Sequence, residues 1–243
     1  MTYAILVLAT LLTSLISGVL SMAGGLILMG VFGFFLSVPA AMVLHGVAQA
    51  VSNGSRVWLH RRHIRLPVLV PYTAGAIVVL LAFIWIAFVP DKGLMFILIG
   101  LFPFAALVMP KQLHVDIERR PVAFVCGILV TAAQMLAGAS GPVLDVFYVG
   151  SKLTRYEVLA TKAVTQTLGH IIKLGYYGFF IAAETKLALW VFPAVIIAAI
   201  AGNWLGKQVV DRLHDDQFRQ YGRYAIMGIG VVYIGKGVME LAA

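Results

Sequence analysis

His45, Gln49, Asn53 and Arg56 follow one another at intervals of four, four and three residues, and Lys162, Gln166, His170 and Lys173 repeat those intervals 117 positions later. At about 3.6 residues per turn, each quartet lies on one face of a helix. The groups are amides, imidazoles and cations, with no carboxylate among them. Such a face offers hydrogen bonds and positive charge to an anion. Both quartets nevertheless lie in stretches apolar enough to cross a bilayer, where one lysine at mid-helix costs about 2.5–3.5 kcal/mol. Snorkelling accounts for one of Lys162 and Lys173, but less well for two on a shared face. The cost becomes intelligible if the two stripes face each other across a pathway that holds an anion. Lys162 is then the strongest candidate for direct contact. Lys173 and Arg56 fit attraction at the ends of the path. His45 and His170 titrate near neutral pH, which leaves a proton relay open.

The same offset places Gly24 on Gly141 and Gly25 on Pro142, so six polar or helix-breaking matches share it. Duplication explains this better than chance. The segments "AGG" (23–25) and "ASGP" (139–142) interrupt long apolar stretches. Glycine lets a backbone turn and approach a ligand closely. Irregular backbone at membrane depth is tolerated only inside protein or beside a wet cavity. A helix starting there would direct free N–H groups at an anion. Gly24, Gly25, Ser140 and Gly141 therefore join the substrate-binding candidates, against the alternative that small residues serve helix packing. Asp145 is a candidate proton site, cation site, cap or ion-pair partner for a lysine.

These residues need membrane helices to position them. Of 243 residues, 61% are hydrophobic and 12% charged, and mean hydropathy is +0.97. Soluble domains carry about 25% charged residues. Eight apolar stretches occur at 3–36, 39–57, 67–89, 94–109, 121–149, 156–181, 187–206 and 224–241. They divide into a first repeat (1–110), a connector (111–120) and a second repeat (121–243). The formal charge of +8 lies mostly between the stretches, as topology requires and nucleic-acid binding does not. The start of the chain lacks the basic n-region of a signal peptide. The single cysteine, Cys126, can form no internal disulfide.

If every stretch crosses once, loop lysines and arginines divide eight against seven, with no bias. If the first and fifth stretches are re-entrant hairpins, the groups at 56–65, 111–120, 152–155 and 207–223 share one side, thirteen residues against Lys92 and Lys186. The positive-inside rule favours the hairpins. The expected fold is thus an all-α polytopic membrane protein of two inverted repeats, each a broken or re-entrant hairpin plus three transmembrane helices. Hairpin tips fall near the membrane middle and both termini outside. The run "RVWLHRRHIR" (56–65) reads as a cytoplasmic loop at the headgroups, anchored by Trp58. No metal-ligand spacing, P-loop or catalytic triad occurs, and "GASGP" lacks the context of a nucleophile elbow. No enzyme activity and no cofactor are expected.

The segments "SGVLSMAGGLILMGVF" (17–32), "SVPAAMVLHGVAQAVSN" (37–53), "LAGASGPVLDVFYVGSKLTRYEVLATKAVTQ" (136–166) and "LALWVFPAVIIAAIAGNWLGKQVVDRL" (187–213) resemble the TauE/SafE sulfite exporter (TSUP) family. This chain has Ala23-Gly24-Gly25 where that family often has three glycines, and Ser140 adds a hydroxyl at the second tip. The resemblance implies transport of sulfur-containing anions, sulfite or organosulfonates such as sulfoacetate, across a bacterial inner membrane. Expected partners are such an anion and the lipid bilayer, with no nucleic acid and a homodimer left open. The rival readings are a proton-coupled importer of another small anion, through His45, His170 or Asp145, and a membrane component that binds an anion without moving it.

Overall fold

The computed structural model describes residues 1–20, 23–108, 116–148, 150–181, 187–210 and 215–242. These form ten α-helices: α1 (Thr2–Leu20), α2 (Ala23–Phe35), α3 (Val38–His60), α4 (Leu66–Ile86), α5 (Lys92–Val108), α6 (Arg120–Ala137), α7 (Gly141–Val146), α8 (Arg155–Gly175), α9 (Val191–Val210) and α10 (Asp215–Leu241). Short 3-10 (Arg61–His63) and π (Tyr176–Phe180) segments follow α3 and α8. No strand occurs among the described residues.

Local chemistry sets the boundaries. Pro39, Pro67, Pro121 and Pro142 stand in the first turns of α3, α4, α6 and α7, where a missing N–H costs no helical bond. Gly138 ends α6 in the left-handed conformation, at φ 74°, and its N–H returns to the Gln134 carbonyl. A reciprocal capping box opens α8: Thr154 Oγ1 accepts from the Glu157 N–H, and the Glu157 carboxylate accepts from the Thr154 N–H at 2.9 Å.

Leu66–Ile86 and Arg120–Ala137 are the described helices long and apolar enough to cross a membrane by length and composition. Around an apolar core, the surface is unlike that of a water-soluble fold. Trp85, Phe179 and Leu189 are more than 80% exposed, while Ser17, His45, Gln49, Asn53, Gln134 and Lys173 are buried. Apolar rings outside and amides inside suit lipid as the surrounding solvent. The hydroxyls of buried Thr10 and Thr13 and of half-buried Thr167 donate to carbonyls one turn back, at 2.7–2.8 Å, so each is satisfied within its own helix.

Four helix pairs dominate the contacts: α1 with α9, α5 with α10, α4 with α6 and α3 with α8. The α5–α10 seam is tight because glycines meet there. A methyl on Gly230 or Gly237 would lie 2.7 Å from the carbonyl oxygen of Gly100 or Gly93.

Several expectations change. The fifth stretch breaks after Ala137 into two unequal helices. The six residues of α7 span only about 9 Å. The 19 of α1 and 18 of α6 reach about 28 and 27 Å, nearly the thickness of a hydrocarbon core. The sixth stretch ends as a π segment rather than as continued α-helix. Residues 215–223, expected in a loop, are helical and open α10. The first break (21–22) and most of the connector (109–115) lie outside the described residues.

Candidate functional site

A small polar recess opens where α3 crosses α8. Helix α3 presents His45, Gln49 and Asn53, and α8 presents Gln166 and His170. The broken stretches complete it, with Ser17 of α1, Gly25 and Leu26 of α2, Gln134 of α6, then Ala139, Ser140 and Gly141 at the second break. Its walls are therefore mostly neutral hydrogen-bonding groups, with no charged side chain in direct lining.

Two hydrogen-bonded clusters flank it. In the first, the His45 Nε2 lies 2.8 Å from the Gly25 carbonyl oxygen. A carbonyl only accepts, so Nε2 carries the hydrogen and Nδ1 is left as acceptor. Lys173 Nζ fills that position at 2.9 Å, and also donates to the Gly138 carbonyl at 2.8 Å. Lys173 is wholly buried. Its ammonium sits at the C-terminal end of α6, where the helix dipole favours a cation. In the second cluster, Ser140 Oγ donates to Gln134 Oε1 at 2.5 Å, and Gln134 Nε2 lies 2.7 Å from His170 Nδ1. The His45 and His170 rings stand 5.4 Å apart and join the two clusters.

Beyond the recess, one turn further along each helix, lie Arg56 and Lys162. Arg56 donates to the Ser17 carbonyl at 3.3 Å, near the C-terminal end of α1. Lys162 forms an ion pair with Asp145. Nearer the helix ends, Arg65 contacts Glu118 at 3.0 Å and Glu157 at 3.5 Å, and its N–H donates to Thr161 Oγ1 at 3.1 Å. The guanidinium of Arg61 lies over the exposed Trp58 ring, 4.6 Å from its centre.

Of the thirteen candidate residues, eight line the recess: Gly25, His45, Gln49, Asn53, Ser140, Gly141, Gln166 and His170. The other five do not. Lys162 is engaged by Asp145 rather than presented to the recess, so its expected role as first contact gives way to an ion pair. Gly24 serves packing: a methyl there would collide with the Thr13 carbonyl and Ser17 hydroxyl. Lys173 is an interior hydrogen-bonding group, not a cation at the end of a path. Asp145 takes the ion-pair alternative, and Arg56 bonds the α1 backbone. Helix α7, with six residues, has a far smaller dipole than a full helix, so side chains carry the donors at the second break.

Gln134 and Ser17 were missed. They are related by the same 117-residue offset as the quartets. Extending that offset into α1 and α6 would have found them.

No curated relative and no solved structure matches the chain. The family model of the sulfite exporter TauE/SafE does match, over residues 6–233 of 243. That span takes in every element around the recess, and the chain belongs to the TauE/SafE sulfite exporter family of membrane transporters.

Proposed function

We propose that the protein exports small sulfur-containing anions, sulfite or organosulfonates such as sulfoacetate, from the cytoplasm across the bacterial inner membrane. The observation that carries this reading is Gln49. Its side chain is 6% exposed, faces the recess and has no hydrogen-bond partner among the described residues. A buried amide is normally paired. One held open toward a polar recess, with Gln166 and Asn53 beside it, suits a ligand with several acceptor oxygens. The membrane potential, negative inside, favours exit of net negative charge by about 2.3 kcal/mol per charge carried per 100 mV.

Alternating access follows from a two-repeat reading, with halves 1–110 and 121–243 joined by 111–120. Exchanging the halves turns the α1–α9 pair into α6–α4 and returns α3–α8 and α5–α10 to themselves. This supports inverted repeats whose axis passes through the α3–α8 crossing, the usual place for a transporter's binding site. The loop charges favour a cytoplasmic 56–65 segment and external termini.

The test is anion flux in proteoliposomes. Gln49→Ala and Gln166→Ala should each lower sulfite or sulfoacetate flux by about tenfold or more, at unchanged thermal stability, on the scale of one lost charge-assisted hydrogen bond. Full flux in both variants would remove the recess as the binding site.

A further inference from the structure

We propose that His170 is the proton site of the recess, and that a proton bound there travels with the anion. This rests on the recess being the anion site. The geometry separates His170 from every other titratable group nearby. His45 is locked: Nε2–H is committed to the Gly25 carbonyl at 2.8 Å, and Nδ1 faces the Lys173 ammonium at 2.9 Å. A second proton on His45 would set an N–H against that ammonium. Lys162 and Asp145 neutralise each other in an ion pair. Tyr176 and Tyr177 of the π segment donate to the carbonyls of Phe88 and Met135, at 2.9 and 2.7 Å. Helix α4 brings only buried Tyr72 as a titratable group. The ionisable groups facing His170 are thus His45 across the crossing and Lys173 on its own helix.

His170 alone has a partner that accepts either protonation state. Gln134 Nε2 donates to the His170 Nδ1 while Gln134 Oε1 accepts the Ser140 hydroxyl. Turning the amide over reverses both bonds. Oε1 then accepts an N–H from the imidazolium, and Nε2 donates to the Ser140 oxygen. The Gln134–His170 and Gln134–Ser140 bonds are thus both kept in either state. The reversed state frees the Ser140 hydrogen to donate into the recess, where Ser140 and His170 both form part of the lining. One proton therefore brings a positive charge and an additional hydroxyl donor to the anion together. Binding of each favours the other, a reciprocal coupling.

The probe is methanesulfonate, which keeps its charge across the imidazole range. Its affinity for purified protein in detergent should rise about tenfold as pH falls from about 8 to 5, within the usual range of site-to-site coupling. In proteoliposomes a methanesulfonate gradient should drive protons in the same direction, read by a trapped pH dye. His170→Gln should flatten the pH profile. Gln134→Glu should move its midpoint to higher pH, because an adjacent carboxylate stabilises the imidazolium. Wild-type binding that is flat with pH, or a slope lost in His45→Gln but kept in His170→Gln, overturns the proton assignment and leaves the anion site standing. If neither methanesulfonate nor sulfite binds at any pH, the anion site fails and the proton site with it.

Discussion

At one end of the recess a lysine lies with a histidine; at the other an arginine lies with a lysine and an aspartate. Lys173 and His45 carry one formal positive charge between them. The 117-residue offset makes Arg56 the counterpart of Lys173 and Lys162 that of His45. Asp145 has only Leu28 opposite it. The two ends of the α3–α8 pair thus differ in chemistry: a lysine held by an imidazole at one, a lysine paired with a carboxylate at the other. In each case a cation also bonds a carbonyl near the C-terminal end of the broken stretch's first helix, Gly138 for Lys173 and Ser17 for Arg56. The chemistry at the two ends differs, so substitutions there should have unequal effects.

The largest effect is expected at Lys173. Lys173→Ala leaves the His45 Nδ1 and the Gly138 carbonyl without their buried donor, and should cost about 2–4 kcal/mol of stability and abolish anion flux. Denaturant unfolding in detergent measures the first. A variant as stable as the parent would break the comparison at its stronger end.

Next is Gly138, which presents the carbonyl that Lys173 uses and holds φ 74°. Gly138→Ala should cost about 1–2 kcal/mol from the left-handed backbone alone, with more from collision with Met29. Thermal unfolding should show a clear drop. No drop would mean that the α6–α7 break can relax.

At the other end, Asp145→Asn should cost about 1 kcal/mol, since its side chain is 35% exposed and screening reduces the pair's worth. In a double-mutant cycle with Lys162→Met the two losses should be less than additive by a similar amount, about 1 kcal/mol. Strict additivity would mean that the ion pair contributes nothing to the folded state.

The smallest effect belongs to Arg65, 42% exposed, beside Glu118 and Glu157. Arg65→Gln should change stability by less than about 1 kcal/mol and leave flux within twofold. A large fall in flux would move the functional contact from the recess toward the α8 N-terminus.

Much of the site was legible before any coordinates. The quartets on α3 and α8 share a spacing, and a helix converts spacing into a face, so five of their eight residues meet at one recess. The glycine and proline breaks were legible for a similar reason, since those residues act on their own backbone. The pairing of Lys162 with Asp145, 17 residues away on another helix, was only one of several alternatives in the sequence. Single-helix periodicity carries no information about such a neighbour. Gln134 went unnoticed because one glutamine in an apolar stretch has no local pattern. Its place in the repeat emerges only when the 117-residue offset is carried beyond the helices that first revealed it.

The sequence by itself determined the helical class, the duplicated polar stripes and the family, because composition, periodicity and recurrence are properties of the chain read in order. It also fixed where the helices start and stop near proline and glycine. Only the tertiary structure decided which polar groups line the recess and which charged groups are held away from it. A lysine paired with a carboxylate and a lysine held by an imidazole and a carbonyl are the same residue type in the sequence. What separates them is a neighbour within about 3 Å, and that is set by how α3, α6, α7 and α8 cross.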